Sequence, residues 1–226
     1  MINRPEVIKA ALFDLDGVIL DTESQYSEFW GLMGRRFRPD VTDFADRIKG
    51  QTLTQIFDAW FTGCEAEQAE IKRLLDAFEQ QMTFKYIKGS RAYAELLRAH
   101  GVPTAIVTSS NRLKMAQVLH AHPELTQLFN RILTSEDFSA SKPAPDCYIL
   151  GAEVLGVQPR ECVIFEDSIN GLRSAHAAGG YVVGLTTTLP SDVVAPLSDI
   201  TITDFSDPKL STQPLVALTL QSTSNS

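Results

Sequence analysis

Apolar runs bounded by turn signals recur along the chain as VIKAALF, VPTAIVT, RIL, CVIF and YVVGL. Between them lie amphipathic stretches of about ten residues or more, with apolar positions at helical spacing. Strands that are apolar on both faces and alternate with helices predict an α/β architecture, a parallel sheet covered by helices on both sides. The alternation is broken once. From residue 21 to residue 85 the pattern is helical, with no strand predicted before the segment near Pro103. The first strand lies on the far side of that stretch, so the helices read as an insertion into the sheet domain. Within it Tyr26, Phe29, Trp30 and Met33 fall at i, i+3, i+4 and i+7 on one helical face. Residues 65–84 carry a second stripe, Ile71, Leu74, Leu75 and Phe78, and two such stripes predict a small bundle. The expected division is 1–20 with 86–210 as the core, 21–85 as the helical insertion and 211–226 as a Ser- and Thr-rich tail, partly disordered.

A chain of 226 residues, 44% hydrophobic and 21% charged, buries a sizeable core, which excludes disorder and fibre. No apolar run approaches the roughly 18 residues of a membrane span, and charges stand where a secretion signal has its apolar segment. A cytoplasmic protein without membrane contact is expected. Cys64, Cys147 and Cys162 are too widely spaced for a CxxC zinc site and too few for a disulfide framework, which fits a reducing compartment. Twenty Lys and Arg against 28 Asp and Glu give a net charge of -8, opposite to the footprint of a nucleic-acid binder. An anionic substrate must then be held by local charge.

In an open parallel sheet, ligands bind beyond the carboxyl ends of the strands, so the residues after each apolar run carry the chemistry. The first run ends Phe13-Asp14-Leu15-Asp16-Gly17, where period two puts Asp14 and Asp16 on the same side and Gly17 allows a tight turn. VPTAIV ends in Thr108-Ser109-Ser110-Asn111 before the helical RLKMAQVLHAH, so hydroxyls and free backbone N–H groups meet at a helix N-terminus. Lys142 stands in SKPAPD, where two prolines restrict the loop. CVIF ends in Glu166-Asp167-Ser168, and Gly179-Gly180 reads as a helix stop before YVVGL, the last strand predicted. Four carboxylates at one sheet edge repel unless a cation sits among them. Oxygen ligands, no neighbouring histidine and an adjacent anion site favour Mg²⁺, which binds through few carboxylates plus a substrate phosphate.

The order Asp-x-Asp-Gly, Thr, Lys, Glu-Asp, each after its own element, resembles the haloacid dehalogenase-like hydrolase superfamily, in the branch with a helical cap inserted after the first strand. FDLDGVILDTE, IVTSSN, SKPAPDCY and FEDSINGLRSAHAAG resemble especially its β-phosphoglucomutase and sugar-phosphatase members. The resemblance covers nearly the whole chain and implies a Rossmann-like core with helices on both faces plus a small inserted cap. It implies that Asp14 is the nucleophile forming an aspartyl-phosphate, and that Asp16 is the general acid and base. Thr108 and the Ser109 amide would hold the phosphoryl oxygens, and Lys142 would balance the charge on nucleophile and phosphoryl group. The implied Mg²⁺ ligands are Asp14, the backbone carbonyl of Asp16, Asp167, and Glu166 directly or through water.

The second Asp excludes dehalogenase chemistry, because dehalogenases lack the acid/base at the position of Asp16. Tyr26 stands where the mutases carry a cap histidine, and Leu53, in IKGQTL, where they carry a phosphate-binding arginine; Arg35, Arg36 or Arg38 remain as substitutes. A phospho-receiver module gathers the same residue types, but at about half this length and without an insertion. The expected activity is a Mg²⁺-dependent phosphatase acting as a monomer on a small phosphorylated metabolite, a sugar or polyol phosphate. A β-phosphoglucomutase-type phosphosugar mutase is the alternative.

Overall fold

The computed structural model describes residues 8–49 and 51–212. In chain order β1 (Ala10–Phe13) and β2 (Leu20–Asp21) precede four helices, α1 (Glu23–Phe37), α2 (Phe44–Arg47), α3 (Leu53–Trp60) and α4 (Glu65–Glu79). Then come β3 (Lys85–Tyr86), α5 (Ser90–Ala99), β4 (Thr104–Val107), α6 (Arg112–Ala121), α7 (Leu125–Leu128) and β5 (Arg131–Leu133). The remainder is α8 (Asp146–Val154), β6 (Cys162–Glu166), α9 (Ile169–Ala178), β7 (Tyr181–Leu185), α10 (Ser191–Val194), β8 (Ile200–Ile202) and α11 (Lys209–Thr212). The chain divides into two compact units, Met1–Asp21 with Lys85–Ser226, and Thr22–Phe84. Among the described residues no helix is long and apolar enough to cross a membrane.

The first unit holds a six-stranded sheet in the order β5-β4-β1-β6-β7-β8, with every pairing parallel. This is a Rossmann-like α/β sheet, and β1 lies at its middle. All four β1 residues are buried, as the two-sided apolar run requires. Ala10 and Leu12 face a core that includes Val107, Tyr148, Ile164 and Leu172. Phe13 faces the other way, stacked on Phe165 with ring centroids 4.6 Å apart and edge-on to Tyr93 and Phe129. Each such side chain withdrawn from water contributes about 1.5–3 kcal/mol. The loops after β1, β4 and β6 therefore leave adjacent strands at one edge.

Three features depart from the sequence pattern. β8 is a strand beyond YVVGL, at the sheet edge; its three residues, only Ile202 of them buried, are too few for periodicity to register. β2 and β3 form an antiparallel pair between segments far apart in sequence, for which no local signal exists. In the second unit Phe29, Trp30 and Met33 of α1 share a core with Ile56, Phe61, Ile71 and Leu75, and Tyr26, Leu74 and Phe78 pack around it. α4 stops at Glu79 rather than near residue 84. Gln25 binds the Thr83 backbone twice, accepting from its N–H at 2.9 Å and donating to its carbonyl at 2.8 Å, which holds that segment against α1. Gly179, at a φ of 87°, ends α9 as its place in the sequence requires. From residue 213 onward the expected tail lies outside the described residues.

Candidate active site

Asp14 leaves β1 with its amide donating to the Phe165 carbonyl at 3.0 Å, so its carboxylate sits where β1 and β6 end. Lys142 reaches the same point. Its ammonium lies 2.6 Å from Asp14 Oδ1 and 2.6 Å from Glu166 Oε1, and donates to the Val107 carbonyl at 3.3 Å. The Glu166 carboxylate is fixed from every side. Oε1 also accepts from the Tyr148 hydroxyl at 2.6 Å, while Oε2 accepts from the Asp167 amide at 3.0 Å and from the Ser168 amide and hydroxyl at 3.3 Å. Ser168 in turn caps α9 through the Gly171 amide. The Thr188 hydroxyl donates to Asp167 Oδ2.

Asp14, Glu166 and Asp167 are buried and offer oxygens within 4.8 Å of one another. Burial pushes the Asp14 carboxyl up to about 7, with the Glu166 and Asp16 charges adding to the rise and Lys142 opposing it. A carboxylate so crowded gains from a further cation beside it, and three hard oxygen donors suit a small divalent ion. The backbone is shaped for this crowding. A Cβ on Gly17 would lie 2.0 Å from Asp167 Oδ2, and one on Gly171 would lie 1.9 Å from Glu166 Oε1. Gly17 also has a φ of 73°, which only glycine adopts freely.

Asp16 follows on the same turn, closed by the Gly17 amide donating to the Leu20 carbonyl at 2.8 Å. Both of its carboxylate oxygens lie 2.7 Å from the Lys114 ammonium, and Ser110 Oγ donates to Oδ2 at 2.8 Å. Thr108 is buried at the end of β4, its hydroxyl accepting from the Ser110 amide at 3.0 Å; Ser109, beside it, is half-exposed. Asn111 caps α6 by accepting from the Lys114 amide at 2.8 Å. The seven candidate residues of the sequence, Asp14, Asp16, Thr108, Ser109, Lys142, Glu166 and Asp167, thus lie at the carboxyl edge of the sheet or on the loops leaving it.

Three further side chains at this edge escaped the sequence reading, Lys114, Tyr148 and Thr188, and Ser110, one of the hydroxyls marked at the entrance of α6, has a partner that the sequence did not name. Thr188 had a signal, since it follows β7 in Thr186-Thr187-Thr188 and strand ends were the places to read. Lys114 had another, a cation in the first turn of a helix. Ser110 and Tyr148 look like ordinary helix-entry and helix-core residues until the partners are seen.

The haloacid dehalogenase-like hydrolase family pattern matches residues 8–179. The chain belongs to this family. Hexitol phosphatase A of Escherichia coli is 33% identical over 81% of this chain and 85% of its own length. A β-phosphoglucomutase of Mycobacterium bovis is 27% identical over 92% of this chain and 94% of its own. The crystal structure of a hydrolase of family IA, variant 3, from Entamoeba histolytica superposes with a TM-score of 0.78 at 23% identity, covering 94% of this chain and 99% of that one. This haloacid dehalogenase-like hydrolase is therefore an enzyme of the β-phosphoglucomutase and sugar-phosphatase branch.

Proposed function

We propose that this enzyme is a Mg²⁺-dependent phosphatase that hydrolyses a small phosphorylated metabolite, a sugar or polyol phosphate, through an aspartyl-phosphate on Asp14. The observation that carries the reading is the Lys142 ammonium, 2.6 Å from both Asp14 and Glu166 with Asp167 alongside, at the carboxyl edge of a parallel sheet. Cation, nucleophile and metal-ligating carboxylates are the parts that phosphoryl transfer needs, because the chemistry is mostly positioning and charge stabilisation.

Asp14 attacks phosphorus while the bond to the leaving oxygen breaks, and Asp16 gives its proton to that oxygen. Asp16 then takes a proton from the water that attacks the aspartyl-phosphate, which frees Asp14 and inorganic phosphate. The Thr108 hydroxyl and the Ser109 amide hold phosphoryl oxygens at the entrance of α6, and Lys142 holds the nucleophile in place and offsets its charge. Mg²⁺ would be held by Asp14, the Asp16 carbonyl, Asp167 and Glu166, the last directly or through water, and would supply charge neutralisation on the phosphoryl oxygens. Residues 21–85 serve as the cap domain.

Phosphatase is favoured over mutase by the residues of that cap. A mutase needs a cationic clamp for a second phosphate. Tyr26 donates instead to Glu79 Oε1 at 2.8 Å, and Leu53 packs against the apolar core of its own unit. Arg36 pairs with Glu70 at 2.5 Å and Arg38 with Glu67 at 2.9 Å, while Arg35, exposed in the last turn of α1, is the one of the three cations for which no carboxylate partner among the described residues argues against a phosphate. The three free cysteines suit a reducing, cytoplasmic compartment. The test is a panel of sugar and polyol phosphates assayed with Mg²⁺ for phosphate release, with β-glucose 1-phosphate and a trace of glucose 1,6-bisphosphate followed by phosphorus NMR. Free phosphate from a panel member supports the phosphatase. Glucose 6-phosphate accumulating ahead of free phosphate overturns it in favour of the mutase.

A further inference from the structure

Lys114 is the third residue of α6, its side chain is 4% exposed, and its ammonium lies 2.7 Å from both carboxylate oxygens of Asp16. Helix physics does not put it there. A cation in the first turn faces the positive end of the macrodipole, and an ammonium taken out of water loses hydration that only a well-placed partner offsets. After an Asn N-cap, a Glu or Gln at this position would instead complete a capping box.

The surroundings of the pair are fixed from the α6 side. The Lys114 amide donates to Asn111 Oδ1 at 2.8 Å, and the Ser110 carbonyl accepts from the Ser135 amide at 3.0 Å. Ser110 also donates to Asp16 Oδ2 at 2.8 Å from this same turn. Asp16 itself stands on the loop between β1 and the Gly17 turn. Both of its oxygens are therefore held from an element anchored on the neighbouring strand. Lys142, the ammonium that serves Asp14, is a different group.

We infer that Lys114, assisted by Ser110, is a positioning residue that sets the orientation in which Asp16 meets the leaving oxygen. The inference rests on the reading of Asp16 as general acid and base, and deepens it by naming what aims that carboxyl. An ammonium across both oxygens selects one rotamer of a short side chain that otherwise samples several, and once Asp16 carries the proton it delivers, its unprotonated oxygen still accepts from Lys114. Misplacing a reacting group by about 1 Å costs on the order of 100-fold in rate, so the aim of Asp16 is a rate-determining property.

The experiment compares wild type, Asp16→Asn, Lys114→Met, Ser110→Ala and their combinations with Asp16→Asn. The readout is single-turnover release of alcohol from glycerol phosphate and of phenol from 4-nitrophenyl phosphate, whose good leaving group needs little protonation. Lys114→Met is expected to slow glycerol release about 10- to 100-fold, to slow nitrophenol release far less, and to add nothing in the Asp16→Asn background. Equal losses on the two esters, or losses that multiply with those of Asp16→Asn, overturn the inference. If Lys114→Met does not fold, Ser110→Ala carries the comparison. A loss confined to the glycerol ester and absent in the Asp16→Asn background supports the inference, and no loss or an equal loss overturns it. An Asp16→Asn enzyme as fast as wild type on glycerol phosphate overturns the reading of Asp16 itself, which separates the two failures.

Discussion

Asp14 is the residue on which the proposed chemistry turns, and its surroundings define what a substitution does. Asp14→Asn keeps the shape of a side chain wedged against Lys142 but removes the nucleophile. It is expected to abolish turnover, to below about a thousandth of wild type, with the circular dichroism spectrum unchanged. Gly171 makes a subtler case. Alanine inside a helix ordinarily stabilises by about 0.5–1 kcal/mol relative to glycine. Here its Cβ would fall 1.9 Å from Glu166 Oε1, on a carboxylate already fixed by Lys142, Tyr148 and the start of α9. Gly171→Ala should therefore destabilise by about 1–3 kcal/mol and weaken Mg²⁺ binding. Thermal unfolding measured across a Mg²⁺ titration reads both effects. A stabilised variant with unchanged Mg²⁺ affinity would show that Glu166 has room to move.

Helices of the second unit are held by their packing and by one well-formed start. At the entrance of α3 the Thr52 hydroxyl accepts from the Gln55 amide at 3.3 Å while Gln55 Oε1 accepts from the Thr52 amide at 2.9 Å, a capping box. Thr52→Ala should cost about 1 kcal/mol. Phe61, just past α3, is fully buried, meets Phe44 edge-on with centroids 6.2 Å apart, and carries the Arg38 guanidinium over its ring at 4.1 Å. Removing that ring loses its burial and leaves a cavity, so Phe61→Ala should cost about 3–5 kcal/mol. Urea midpoints of the two variants should rank in that order. A Phe61→Ala midpoint no lower than that of Thr52→Ala would mean that the small core collapses around the gap.

At the scale of the molecule, burial governs the thiols and the response to pH. Cys147 and Cys162 are buried and Cys64 is half-exposed, so the folded protein should react with one equivalent of a thiol reagent and the unfolded protein with three. Burial pushes the Cys162 thiol up to about 12 and raises Cys147 as well. The folded chain thus keeps a proton at Cys162 that the unfolded chain releases from roughly pH 8.5 upward. Stability should fall as pH climbs through that window toward 12, and alkaline melts in metal-free buffer measure it. Chelation acts separately. If the proposed Mg²⁺ site is right, EDTA should abolish activity and lower the melting temperature, because an ion bound at about 100 times its dissociation constant would stabilise the folded state by roughly 2.7 kcal/mol. Full activity after chelation would remove the metal from the mechanism.

Periodicity determined the parallel sheet, the inserted helices and the strand ends at which Asp14, Asp16, Thr108, Glu166 and Asp167 gather, while Lys142, in a loop, is marked by the family resemblance. These properties are local: alternation and turn residues act over a few positions, and the sheet topology brings strand ends together by rule. Tertiary structure decided what no local pattern encodes. β2 and β3 pair across the intervening helices, and β8 gains its place only from β7. Lys114 acquires its partner 98 positions away, and Tyr148 finds Glu166 across the gap between α8 and β6. Gly17 is required by Asp167, a carboxylate that arrives from elsewhere in the fold. In each case the deciding interaction joins segments whose separation along the chain leaves no trace in composition or period, so only the packed fold could set it.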